Sequence, residues 1–187
     1  PICVAPRTTG IEYELDDDAA QDRLMLVTNW SPDGQAEDFL VAHAPVPSAE
    51  ADHSSWQVIR PHSPGCLVLD AVPFSNHIVY LLRENALPRI IIETKATGTI
   101  AAIEFGEEAY DLGLGAIGQY DTNTLRFTYA SMTTPMQTTD YDMDTRARIL
   151  RKSQNVPSGH DPADYVTRRI SATSHDEAEV PVSVVYH

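Results

Sequence analysis

Residues 125–153, L-R-F-T-Y-A-S-M-T-T-P-M-Q-T-T-D-Y-D-M-D-T-R-A-R-I-L-R-K-S, decide how the rest of the chain is read. Thr, Tyr, Phe and Ile favour a pleated backbone, and they gather in three short runs at 125–130, 137–143 and 147–152. A loop at Pro135 and a polar turn at 144–146 separate the runs, which leaves no room for a helix of useful length. The stretch is therefore predicted to be an antiparallel meander. What matters next is whether that unit recurs.

Working outward, it does. Four strand-like runs precede Cys66, at 11–15, 23–29, 39–44 and 56–59, separated by Asp16-Asp17-Asp18, by Ser31-Pro32-Asp33-Gly34 and by a Pro/Ser/Ala-rich loop over 45–55. Four more follow at 67–72, 78–83, 89–93 and 100–105, with breaks at Ser75-Asn76-His77, at 85–88 and at Ala96-Thr97-Gly98. A run at 110–114 then leads into the opening stretch. The period is about 49 residues with four antiparallel strands in each, the pattern of a β-propeller blade. The three sets share pattern and not letters.

The expected fold class is all-β: a partial β-propeller with blades over about 11–62, 66–106 and 109–153. A β-sandwich also supplies twelve short strands at such spacing. A propeller ring takes about four to eight blades, so either this is a fragment of a ring or another chain supplies the remainder. After a loop at 154–162, runs at 166–173 and 180–186 flank a polar turn at 174–179. They read as a hairpin outside the repeat, placing a boundary between a propeller fragment over 1–160 and a second unit over 161–187.

Thirteen Lys and Arg against 27 Asp and Glu give a net charge of −14, which disfavours nucleic acid and anionic membranes as partners; it is read first as keeping the chain soluble and second as drawing cationic ligands. A hydrophobic share of 42% in 187 residues is enough to bury a core. Cys3 and Cys66 are too few for a disulfide framework and are read as ordinary thiols in a reducing compartment. No charged-then-apolar leader and no apolar run of membrane-spanning length is present, so the chain is expected to be soluble and cytoplasmic. The start at Pro1 and the close on V-P-V-S-V-V-Y-H lead to the expectation that the chain was cut from something longer.

Motifs with chemical potential are few. Gly113-Leu114-Gly115-Ala116-Ile117-Gly118 has the letters of a dinucleotide fingerprint, but the turn Gln119-Tyr120-Asp121-Thr122-Asn123 follows where a helix N-terminus is needed. Its glycines are read as permitting close strand packing or a bend. Asp140, Asp142 and Asp144 alternate like part of a calcium loop, yet Thr145 and Arg151 stand where Gly and Glu are required, so the trio is read as a solvated acidic face. His43, His53, His62, His77, His160, His175 and His187 show no metal-ligand spacing. There is no G-x-S-x-G elbow, and Ser131 lies in a strand-to-loop S-M-T-T-P context. Trp30 and Trp56 are read as core or blade-edge aromatics, and Asn29-Trp30-Ser31 as an unmodified glycosylation sequence. No catalytic, cofactor-binding or metal-binding residue is assigned, and no cofactor is expected.

The chain nonetheless resembles the prolyl oligopeptidase family of serine peptidases, most closely its oligopeptidase B (protease II) branch. The resemblance rests on Phe127-Thr128-Tyr129-Ala130-Ser131-Met132-Thr133-Thr134-Pro135 with Asp140-Tyr141-Asp142, and on Gly10-Ile11-Glu12-Tyr13, Leu26-Val27-Thr28-Asn29, Ile59-Arg60-Pro61-His62, Leu87-Pro88-Arg89 and Asp161-Pro162-Ala163-Asp164-Tyr165. Ala172-Thr173-Ser174-His175-Asp176 and Val180-Pro181-Val182-Ser183 are similar to the hairpin that opens the family's α/β-hydrolase domain. Asp176-Glu177-Ala178 departs from the family's D-G-x turn, and Thr139 replaces a common aromatic.

The resemblance implies the last three blades of a seven-bladed propeller set over a peptidase domain whose Ser, Asp and His lie beyond this chain. It further implies a lid that restricts substrates to short peptides cleaved after basic residues, with the hydrolase domain and the other blades as partners. The chain alone is expected to be inactive and open to self-association through its end faces. The alternative carried beside it is a non-enzymatic propeller that binds proteins or peptides.

Overall fold

The computed structural model describes residues 3–47, 51–115 and 118–187. Its strands fall into three four-stranded antiparallel sheets, each in simple sequential order, and one two-stranded ribbon. The first sheet holds β1 (Tyr13–Asp18), β2 (Arg23–Ser31), β3 (Gly34–Pro45) and β4 (Gln57–Arg60). The second holds β5 (Cys66–Pro73), β6 (His77–Glu84), β7 (Leu87–Thr94) and β8 (Thr99–Ala102). The third holds β9 (Tyr110–Leu114), β10 (Thr124–Ser131), β11 (Gln137–Asp142) and β12 (Arg148–Ser153). The ribbon pairs β13 (Val166–Thr173) with β14 (Glu179–Tyr186), from Val166 opposite Tyr186 to Thr173 opposite Glu179. Three successive meanders of four strands are blades of a β-propeller.

Side-chain alternation explains how the blades stack. On β10, Leu125, Phe127 and Tyr129 point to one face and join Leu112, Tyr141 and Met143 against Val79, Leu81, Ile90 and Ile92 of the second blade. The opposite face of β6 gives Ile78, Tyr80 and Leu82, which meet Met25, Val27 and Val41 of the first blade. Strand β6 is thus covered on both sides, which is why H-I-V-Y-L-L reads as an unbroken buried run and not an alternating one. The outer face of the first blade, with Leu26, Leu40, Ala42 and Ala44, is covered by Ala5, Trp56, Tyr13 and Trp30. The corresponding face of the third blade carries charged side chains around an exposed Ile149: Arg126 makes two bonds of 2.7 and 2.9 Å to Asp140, which Arg151 approaches at 3.3 Å.

Strand edges differ from expectation in a few places. Asp16-Asp17-Asp18 is not a turn; it finishes β1, opposite Met25, Leu24 and Arg23. The reversal comes later, through the 3-10 turn Ala19–Gln21 and Asp22 at φ 48°. Pro88 lies inside β7 opposite Arg83, and β8 stops at Ala102 rather than continuing to Phe105. In a four-stranded meander the first–second and third–fourth connections share one rim. The second–third turns and the links between blades share the other, and the C-terminal hairpin departs from that second rim.

Candidate functional site

The second rim is where the chain does something beyond closing its own blades. Glu107 and Glu108 lie in the link between β8 and β9 and face in different directions. Glu107 accepts hydrogen bonds from the hydroxyls of Tyr129 at 2.7 Å, Thr133 at 2.7 Å and Thr134 at 2.6 Å. Burial pushes its carboxyl up, but these hydroxyl bonds outweigh that and hold it below the usual carboxylate range. Burial and the Glu107 carboxylate together push the Tyr129 phenol well above its ordinary value. Loop 131–136 is therefore pinned in place. Glu108 instead receives the backbone N–H of Arg169 and the Arg168 guanidinium, each at 2.8 Å, and both contacts hold its carboxyl below the ordinary range.

Two cavities open between the rim and the hairpin. One, of about 550 Å³, lies between the turn Asn85-Ala86 and Arg169, Ile170, Glu179 and Pro181. The other, of about 400 Å³, is bounded by Leu87, Tyr110, Asp111, Met132 and Ser183. The connector also touches this rim, since His160 Nε2 sits 2.5 Å from the Thr133 carbonyl oxygen.

The first rim carries a buried charge cluster. Asp18, with no exposed surface, accepts from Lys95 Nζ at 2.5 Å, Tyr120 Oη at 2.6 Å and Arg23 Nε at 2.9 Å. One carboxylate thereby joins groups from all three blades. Along the first strands, Glu14 and Asp16 of β1 lie close enough to Asp70 of β5 to act on it. Burial first, and then these like charges, push the Asp70 carboxyl up despite the Ala71 N–H it accepts.

Sequence candidates fare unevenly. Ser131 Oγ accepts the backbone N–H groups of Thr133 and Thr134 at 3.0 and 2.8 Å, so it caps the loop. The aspartates 140, 142 and 144 are not one solvated acidic face. Asp140 is engaged by two arginines, Asp142 accepts the N–H of Thr145 at 2.7 Å, and Asp144 lies 3.2 Å from the buried His77. No group of three or more His, Cys, Asp or Glu suited to a metal occurs among the described residues. Trp30 stacks on His53, and Trp56 meets Tyr13, Trp30 and His53 edge-on, in the covering of the first blade. Cys3 and Cys66 are free thiols. Of the glycine-rich stretch, Ala116 and Ile117 lie outside the described residues. Gly113 and Gly115 pack so closely on β10 that an added Cβ would come within 2.9 Å of Thr128 and of Arg126. No helix among the described residues is long and apolar enough to cross a membrane. Sequence reasoning passed over Asp18, Glu107 and Glu108; Asp18, flagged only as part of a turn, meets partners 77 and 102 residues away.

Three stacked four-stranded meander blades define a partial β-propeller, with a two-stranded ribbon against its second rim. Residues 2–154 match the family described as prolyl oligopeptidase, N-terminal beta-propeller domain, and the chain belongs to that family. It is 34% identical over 184 residues to dipeptidyl aminopeptidase BI of Pseudoxanthomonas mexicana, covering 98% of this chain and 24% of that protein. Protease 2 of Moraxella lacunata is 25% identical, over 98% of this chain and 25% of its own length. Among solved structures, oligopeptidase B from Trypanosoma brucei with covalently bound antipain superposes with a TM-score of 0.83 at 28% identity, covering 98% of this chain and 26% of that one. The chain thus spans about a quarter of the length of the relatives it matches.

Proposed function

We propose that this chain is the catalytically silent propeller portion of an oligopeptidase B-like serine endopeptidase that cleaves short peptides after basic residues. Residues 1–160 form the last blades of the ring, and 161–187 begin the α/β-hydrolase domain that carries the Ser, Asp and His. The observation that carries this reading is the hairpin β13–β14, outside every blade, held on the second rim through Glu108. In this role the propeller stands over the peptidase domain and admits substrates by size. Its partners are that domain, the other blades and short basic peptides, in the cytoplasm.

A preference for basic peptides is supported by the net charge of −14 and by Glu14, Asp16 and Asp70 on neighbouring first strands. The test is a panel of fluorogenic peptides offered to the full-length protein, with Arg, Lys, Pro or a neutral residue before the scissile bond. Arg and Lys substrates are expected to lead at low salt and to lose part of that lead as salt rises. Equal turnover of all four, or a lead for Pro, overturns the basic preference. The second reading, a non-enzymatic peptide-binding propeller, predicts binding of these peptides by the full-length protein with no cleavage.

A further inference from the structure

We propose that a cavity on the first rim, between the first and second blades, binds a small zwitterion, a free amino acid or a dipeptide: Arg23 and Lys95 receive its carboxylate and Glu93 its ammonium group. The cavity measures about 470 Å³, with Arg23 and Ile59 on one side and Asn76, Ile78, Glu93 and Lys95 on the other. That volume falls within the range of about 300–1,000 Å³ usual for small-molecule sites. Both walls come from blades that this chain holds with all four strands, and the cavity lies on the rim opposite the C-terminal ribbon. The site goes beyond the peptidase reading and stands whether or not that reading holds.

Buried partners set the charged groups in place from behind. Asp18, with no exposed surface, accepts from Arg23 Nε and Lys95 Nζ, whose side chains are only 23% and 14% exposed. Arg23 uses one nitrogen for that contact. Its two terminal nitrogens have no acceptor among the described residues, which leaves the end of the guanidinium fork for a ligand carboxylate. Glu93 is fixed in the same way: the phenol of Tyr80, 1% exposed, donates to Oε2 at 2.7 Å, and no described residue donates to Oε1. Joining the blades requires only that Asp18 reach Lys95 and Tyr120, and it accounts for neither the open end of Arg23 nor Glu93. A simple anion is repelled by Glu93 and a simple cation by Arg23 and Lys95, so the ligand that fits carries both charges. Ile59 and Ile78 add an apolar wall suited to an aliphatic side chain.

The test is titration calorimetry of the full-length protein with leucine and with leucyl-leucine, after treatment with a serine-directed phosphonate so that a peptidase site takes no part. Saturable binding of at least one of them is expected. N-acetylleucine and leucinamide, each lacking one of the two charges, are expected to bind at least about tenfold more weakly than the tighter ligand. Glu93→Gln keeps an acceptor for Tyr80 and removes the charge, and is expected to weaken the tighter ligand about tenfold. Binding of neither ligand, equal affinity for N-acetylleucine, or unchanged affinity in folded Glu93→Gln overturns the site. Should Glu93→Gln fail to fold, hydrogen exchange of the wild type decides. Saturating ligand is expected to slow exchange over 74–78 and 93–96, and unchanged exchange there overturns the site.

Discussion

Asp18 is where three blades meet on one side chain, and its chemistry is more demanding than its place in a D-D-D run indicates. Its carboxylate is fully buried and is neutralised by Lys95 and Arg23 while Tyr120 donates a third bond. Asp18→Asn keeps the shape and removes the charge, leaving two cations facing a neutral group. Breaking a buried pair in this way costs about 3–5 kcal/mol, readable from denaturant unfolding. Burial pushes the Asp18 carboxyl up, but Lys95, Tyr120 and Arg23 outweigh it and set it below its ordinary value. A carboxyl lowered on folding contributes its full stability above the ordinary carboxylate value, and that contribution is lost as pH falls through the lowered one. The gap between wild type and Asp18→Asn is therefore expected to narrow below about pH 4. On the alkaline side, burial and the bond to Asp18 push the Tyr120 phenol up to about 12. Its contribution is complete below the ordinary phenol value and fades as pH rises through the raised one. Local composition pointed to a turn at 16–18 because Asp favours turns; strand pairing with 23–25 and partners far along the chain prevailed.

At the scale of elements, the strands were legible because short β-branched and aromatic runs alternate with turn residues throughout, and β9 and β13 fall on their expected bounds. Their exact ends were not, since pairing partners decide where a strand stops: Arg83 opposite Pro88 draws that proline into β7. The second rim was illegible for a different reason. Nothing in E-F-G-E-E-A-Y marks Glu107 or Glu108, whose partners lie 22 to 61 residues further on. One turn yields a prediction. Asn85 and Ala86 join β6 to β7 with φ values of 50° and 59°, the doubly left-handed backbone of a type I′ hairpin turn, where glycine is favoured at the second place. Ala86→Gly is expected to stabilise the fold by about 0.5–1 kcal/mol, seen as a higher urea midpoint at unchanged slope. Glu177, at φ 65° in the β13–β14 turn, carries the same strain where the family favours glycine.

For the whole molecule, the two end faces of the blade stack set how isolated chains behave. The first blade's outer face is already covered by Ala5, Tyr13, Trp30 and Trp56, whereas the third blade presents Arg126, Asp140 and Arg151. Self-association of the isolated chain, proposed from its end faces, is then expected to be polar and to weaken with salt. Sedimentation at low and high ionic strength reads this, and association that strengthens with salt would point to an apolar contact instead. The larger claim is that this propeller is a lid and the chemistry lies in another domain of the same protein. Its most direct test sets the 187-residue chain beside the full-length protein and gives both a dibasic fluorogenic peptide and a serine-directed phosphonate label. The account predicts turnover and labelling for the full-length protein and neither for the chain; turnover by the chain alone, or none by the full-length protein, would contradict it.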